Sequence, residues 1–327
     1  MRRNLLKNRN FQLIETNGIH LRTVVEGNGP LVILLHGWPQ CWYLWRHQIE
    51  PLVAAGFQVA VPDQRGYGGS DKPAEIEAYN IIELTNDVVG LAGALGHERF
   101  IVVGHDWGAP VAWHTALLHP QRVKAVAGLS VPYTRWKART LTQQEFYGDN
   151  FWYMVYFQQP GVAEAELEAD IRKSLRTIYF SISGDVPADW RPTRKPASAK
   201  FLDGMLDPGQ NLPAWLTEED LDYYVAQYQQ SGFRGPINWY RNIDRNVALT
   251  PQLDSPETGM IRQPAFFIAG TKDPVLQFHG GKALSAMDKW MADLRGKVLI
   301  EGAGHWVQME RPAEVNEALL GFLKAVA

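Results

Sequence analysis

Residues 104–113 read GHDWGAPVAW and follow the apolar run FIVV at 100–103. A short apolar run, a glycine-bounded turn and then residues suited to a helix predict a strand–turn–helix unit. GPLVILLHGWP (29–39) and FQVAVPDQRGYGGS (57–70) repeat the form, with helix-like segments between the three. Apolar runs without a polar alternate face suit strands buried on both sides. Their alternation with helices predicts an α/β fold, a mostly parallel central sheet flanked by helices.

The style of the chain changes after AVAGLSVPY (125–133) and changes back after Pro251. Between them the sequence is rich in aromatics, Glu, Gln and Arg, without apolar strands. This predicts a core of residues 1–133 and 249–327 interrupted by a helical insertion at 134–248. Within it, GVAEAELEADIRKSLRTIYF (161–180) reads as one helix with a Glu168–Arg172 pair at i, i+4. SGDVPADWRPTRKPASAK (183–200) reads as an exposed loop. LTEEDLDYYVAQYQQSGF (216–233) reads as a helix capped by Thr217 with Asp220 three residues on. QPAFFIAGTKDPV (263–275) and KVLIEGAGHW (297–306) restore the strand pattern, and PAEVNEALLGFLKAV (312–326) closes the chain as a helix.

With 327 residues, 46% hydrophobic and 20% charged, the chain has the composition of a globular protein. Thirty-two basic against 35 acidic residues give a net charge of −3, so no positive field recruits nucleic acid or anionic lipid. Cys41 is the only cysteine, which excludes an internal disulfide and any multi-cysteine metal site. The basic N-terminal stretch, MRRNLLKNRNFQLIET, lacks the apolar segment of a secretory signal, and no apolar run is long enough to span a membrane. A cytoplasmic location is expected.

Gly104-His105-Asp106-Trp107-Gly108 has the glycine spacing of a G-x-S-x-G nucleophile elbow, with aspartate in the serine position. Taken alone, Asp106 reads first as a helix cap. Likewise Asp273 reads as a turn residue before Pro274 and His305 as a loop histidine. Together they differ: each ends an apolar strand, on the sheet edge where ligands sit, in the chain order nucleophile, acid, histidine. His36 and His105 flank this site and are read as braces of its backbone. Histidines 20, 47, 97, 114, 119 and 279 are read as structural or exposed, and Asp63 and Arg65 as a structural ion pair or turn.

The aspartate selects the chemistry. A carboxylate that attacks a saturated carbon leaves an ester of its own side chain, which water can cleave, whereas serine would leave an inert ether. Asp106 therefore points to opening an epoxide or expelling a halide. His305, oriented by Asp273, would activate the water. The backbone N–H groups of Trp38 and Trp107 would hold the oxyanion.

On these motifs the chain resembles the epoxide hydrolases of the α/β-hydrolase fold, most closely the hydrolase domain of soluble epoxide hydrolases. HGWP, GHDWG, TKDPV and GAGHW are similar to the family's oxyanion loop, elbow, acid turn and histidine turn. FWYMVYFQQPGVAEAELE (151–168) and SGFRGPINWYRN (231–242) resemble its cap, whose two catalytic tyrosines fall at Tyr153 and Tyr240. Only the family motif selects Tyr153 over Tyr156. The resemblance implies a cap at 134–248, a hydroxyalkyl ester on Asp106, and phenols donating to the basic epoxide oxygen. No cofactor or metal is implied. The partners expected are a small apolar epoxide and water, without nucleic acid or membrane insertion, and with a homodimer left open. Mammalian members carry an additional N-terminal phosphatase domain, and the chain starts almost at the hydrolase, so no phosphatase activity is expected. A haloalkane dehalogenase would share the elbow, acid and histidine, but Trp38 stands where its asparagine is expected. A non-catalytic receptor would have no need of all three groups.

Overall fold

All five residues of Leu31–Leu35, LVILL, are buried, as a run with no polar face requires. In the computed structural model, which describes residues 9–135, 141–187, 194–255 and 257–327, they form the third of eight strands in one sheet. The first eight residues of the basic N-terminal stretch, residues 188–193 of the loop at 183–200 and the side chain of His279 lie outside the described residues.

The strands are β1 (Phe11–Thr16), β2 (Ile19–Glu26), β3 (Leu31–Leu35), β4 (Gln58–Pro62), β5 (Phe100–His105), β6 (Val123–Leu129), β7 (Ile261–Gly270) and β8 (Met291–Ile300). Their order across the sheet is β1-β2-β4-β3-β5-β6-β7-β8, parallel except where β2 meets β1 and β4. Helices α1 (Arg46–Ala54), α2 (Ile81–Ala94) and α3 (Gly108–Leu118) link the strands from β3 to β6. Between β6 and β7 the described residues hold helices and no strand: α4 (Tyr153–Tyr156), α5 (Val162–Ala169), α6 (Ile171–Ser181), α7 (Glu218–Ser231), α8 (Arg234–Arg241) and α9 (Ile243–Leu249). Then α10 (Lys282–Trp290) joins β7 to β8, and α11 (Val307–Glu310) and α12 (Pro312–Val326) follow. Among the described residues, no helix is long and apolar enough to cross a membrane.

Three local features differ from the sequence reading. The segment 161–180 is two helices, because Asp170 stops α5 and its carboxylate accepts from the Lys173 amide at 2.9 Å as the cap of α6. The break also dissolves the expected Glu168–Arg172 pair. Glu168 Oε1 instead accepts from the Phe233 amide at 2.9 Å, and Arg172 pairs with Glu218 and Asp222. Finally, strands precede Leu31: β1 and β2 form a hairpin around Asn17 and Gly18, whose φ values of 48° and 74° suit an Asn-Gly turn. At the sheet edge β1 keeps a wet face, with Leu13 exposed, so it lacks the continuous apolar run of its buried neighbours.

The helical segment is tied down along α7 to α9. Arg46 on α1 pairs with Asp220 on α7 at 3.3 Å, and the Tyr43 hydroxyl donates to the same carboxylate at 2.8 Å. Asp220 also closes the reciprocal cap with Thr217. Trp239 on α8 donates to the Arg65 carbonyl at 3.1 Å, and Asn246 on α9 accepts from the Ile81 amide at 2.8 Å. These buried polar contacts seat the segment over the strand ends.

Candidate active site

The β5–α3 turn forces one residue, Asp106, to φ 50°, a left-handed conformation that costs roughly 1–2 kcal/mol for a residue with a Cβ. The turn is that tight because a Cβ on Gly104 would lie 1.9 Å from the Gly108 carbonyl oxygen. Strain of this kind persists only where its surroundings over-determine it. Here it lifts the carboxylate off the sheet edge to meet groups from two other turns, those of Trp38 and His305.

Asp106 Oδ1 accepts from the Trp38 amide at 2.7 Å, and the Trp107 amide also hydrogen-bonds the carboxylate. Asp106 Oδ2 lies 3.4 Å from Nε2 of His305. On the opposite side of that ring, Nδ1 is 3.0 Å from Oδ2 of Asp273. Asp273 is also the cap of the following turn, its Oδ1 accepting from the Val275 amide at 2.9 Å, so the turn residue and the histidine's partner are one side chain. The Asp106 side chain keeps 15% exposure and that of Asp273 has none, so a substrate reaches the first carboxylate alone.

Charge follows from this geometry. Burial would lower the pKa of His305, but the charge of Asp273 and the hydrogen bonds to Asp106 and Asp273 outweigh it and raise it to about 10. Burial would raise that of Asp106, but His305 and, more weakly, His105 and the Trp107 amide hold it below its ordinary value. The resting site is thus an imidazolium between two carboxylates. His36 and His105 are neutral, pushed by burial to about 4 and about 3. Both brace backbone: His36 Nε2 accepts from the Gln64 amide at 3.0 Å, and His105 Nε2 donates to the His305 carbonyl at 2.7 Å. Asp63 and Arg65 have separate partners, Arg22 at 3.1 Å and Asp87 at 2.6 Å.

Above Asp106 the wall is aromatic. The ring of Tyr240 lies 5.2 Å from that of Trp107, 5.9 Å from Trp38 and 5.8 Å from Tyr153. Among the described residues the Tyr153 hydroxyl makes no hydrogen bond, whereas that of Tyr156 donates to Glu166 Oε2 at 2.7 Å. One helical turn therefore separates a free phenol from an occupied one. Burial and the nearby negative charge of Asp106 push both Tyr153 and Tyr240 above the ordinary phenol range, so both stay protonated donors. Phe157 and Phe201 complete the wall around Trp38 at 5.3 and 5.5 Å, and the sequence carries no cue to either, since a buried phenylalanine reads as core. Among the described residues, no group of three or more His, Cys, Asp or Glu side chains is placed to hold a metal ion.

The α/β-hydrolase-fold family model matches residues 30–312. The chain is 47% identical to epoxide hydrolase A of Mycobacterium tuberculosis over 95% of its length and 96% of that protein's. It is 37% identical to bifunctional epoxide hydrolase 2 of Sus scrofa, of which it spans 54%. The crystal structure of epoxide hydrolase A from Mycobacterium thermoresistibile superposes with a TM-score of 0.89 at 46% identity, covering 98% of this chain and 99% of that one.

Proposed function

We propose, for a chain that belongs to the α/β-hydrolase-fold family and within it to the epoxide hydrolases, that Asp106 is the nucleophile, His305 the general base, Asp273 its orienting acid, and Tyr153 and Tyr240 the donors to the epoxide oxygen. The enzyme hydrolyses an epoxide to a vicinal diol. In the first step Asp106 Oδ2 attacks a ring carbon, the carbon–oxygen bond breaks, and a tyrosine hydroxyl donates to the leaving oxygen, lowering the cost of a strongly basic alkoxide. In the second step His305 Nε2 takes a proton from water, which attacks the ester carbonyl carbon of Asp106. The oxyanion develops on Oδ1, where the Trp38 amide already donates at 2.7 Å. One such donor contributes about 2.7–4 kcal/mol to a transition state. On collapse of the oxyanion the Cγ–Oδ2 bond breaks and Oδ2 leaves as a hydroxyl of the diol. The two water protons end on that hydroxyl and on His305, restoring the Asp106 carboxylate and the imidazolium.

The observation that carries this reading is the pair of distances across His305, 3.4 Å to Asp106 and 3.0 Å to Asp273. The imidazole proton that Asp106 helps to hold is lost when Asp106 becomes a neutral ester. That loss balances the proton gained by the opened ring oxygen. Ester formation itself thus converts an imidazolium into a base.

The helical segment 134–248 is assigned as the cap that carries both tyrosines, and its aromatic lining favours a small apolar epoxide. A cytoplasmic location belongs to the same reading, supported by the lone Cys41, which requires no oxidising compartment. The functional test is a paired assay of the purified protein with an aryl epoxide and a bromoalkane. Diol without bromide is expected. Bromide without diol would demote Tyr153 and Tyr240 to packing residues.

A further inference from the structure

The catalytic histidine sits on a turn whose three consecutive amides are all engaged. Gly304 N donates to Glu310 Oε2 at 2.8 Å, His305 N to the Ile182 carbonyl at 2.9 Å, and Trp306 N to Glu310 Oε1 at 3.0 Å. Glu310, at the end of α11, is buried, and its Oε2 accepts a second bond, from Gly184 N at 2.8 Å. Ile182 and Gly184 both belong to the chain leaving α6, inside the helical segment. Gly184 can lie there because it lacks a Cβ, which would stand 2.1 Å from the Gly302 carbonyl oxygen and 2.9 Å from Glu310 Oε2. The same stretch gives the Trp306 indole its acceptor, the Tyr179 carbonyl at 2.8 Å, and Tyr179 in turn donates its hydroxyl to the Pro39 carbonyl beside Trp38.

The structure assigns to Glu310 the part of a positioning residue: its carboxylate grips the amides on either side of His305 and the cap backbone at Gly184 together, so that the base is held in place by the docked end of α6. This rests on the reading of His305 as the base for ester hydrolysis. A carboxylate suits the task, because it presents two oxygens and no hydrogen to three N–H donors. A glutamine there offers one oxygen and turns an N–H₂ group against an amide hydrogen, which lets the turn shift. The consequence is specific to one step. Attack by Asp106 does not require His305 to take a proton, whereas the water-activating step requires Nε2 within hydrogen-bond reach of the water. A displacement of about 1 Å at such a centre costs on the order of 10²-fold in rate.

The test is a single-turnover experiment on the full chain with an aryl epoxide, following ester on the Asp106 peptide by quenched-flow mass spectrometry, for the unsubstituted enzyme, Glu310→Gln and His305→Gln. Glu310→Gln is expected to form ester within about threefold of the normal rate and to cleave it about 10- to 100-fold more slowly, so that ester accumulates. Equal slowing of both steps, or normal cleavage, would overturn the assignment. If His305→Gln fails to accumulate ester, the role of His305 is wrong. If it accumulates ester and Glu310→Gln does not, the positioning role alone is wrong. Should Glu310→Gln not fold, Gly184→Ala pushes the same anchor from the cap side and is expected to show the same imbalance between the steps. Unchanged or evenly slowed steps in that variant would overturn the assignment equally.

Discussion

Nε2 of His305 lies 3.4 Å from Oδ2 of Asp106, and in the proposed mechanism this contact couples the two halves of the reaction. While Asp106 is a carboxylate, the imidazole holds its proton. Once Asp106 is an ester, the hydrogen bond and charge that it lent are gone and Asp273 alone remains to favour the cation.

The first expected outcome is a difference between two titrations. In the free enzyme His305, raised to about 10 by Asp273 and Asp106, is expected to titrate there when followed by the chemical shifts of its ring. The acid limb of ester cleavage reports the same ring without the Asp106 charge, so its apparent pKa falls lower. Equal values in the two experiments would mean that Asp106 does not hold the proton.

Stability follows the same contact. A raised imidazole pKa stabilises the folded state fully below the unfolded value of about 6.5, and this contribution is lost as pH rises through the folded value of about 10. Thermal midpoints measured from pH 6 to 10 should therefore decline. In Asp106→Asn, where one cause of the raised value is removed, the decline should begin at the same pH, set by the unfolded state, but level off at a lower one and be smaller in total. A variant curve parallel to that of the unsubstituted protein would count against the ion pair.

Tyr153 and Tyr156 provide a paired comparison one turn apart. Tyr153→Phe and Tyr240→Phe each should slow ring opening on the order of 10²-fold while leaving ester cleavage nearly unchanged. Tyr156→Phe removes the bond to Glu166 and should cost about 1 kcal/mol of stability with ring opening intact. Rapid-quench measurement of ester appearance separates the cases, and equal loss in Tyr153→Phe and Tyr156→Phe would remove the distinction.

The elbow predicts a steep contrast between two glycines. Gly104→Ala places a Cβ 1.9 Å from the Gly108 carbonyl, so the turn must open and folded, active protein should be lost. Gly96→Ala, with nothing within 4 Å at φ 81°, should cost only about 1–2 kcal/mol of backbone strain. Similar thermal midpoints for the two would contradict the close packing at the elbow.

Much of the core is legible because a strand buried on both faces must be written as an uninterrupted apolar run, and LVILL and FIVV are such runs. Asp106, Asp273 and His305 could be grouped because each follows a strand whose last residues are apolar, even though β8 is a half-exposed edge strand, and the structure brings both carboxylates to the His305 ring, at 3.4 and 3.0 Å. What escaped depends on surroundings that a local window does not contain. Edge strand β1 is half solvated and so loses its apolar signature, although Asn17-Gly18 marks its hairpin. Asp170 breaks a segment of good helix formers because its side chain finds a backbone amide three residues on. Glu310 follows His305 by five positions with no motif to mark it, and its role depends on Gly184, more than a hundred residues away.

In the proposed mechanism an oxygen of Asp106 becomes an oxygen of the product. This transfer is tested most directly by one turnover in heavy-oxygen water with enzyme in excess of epoxide, followed by mass analysis of the diol and of the peptide carrying Asp106. Unlabelled diol and one heavy oxygen in Asp106 are expected, because water attacks the ester carbonyl and the original carboxylate oxygen leaves with the product. Labelled diol with an unlabelled Asp106 would mean that water opens the ring directly, and would contradict that mechanism.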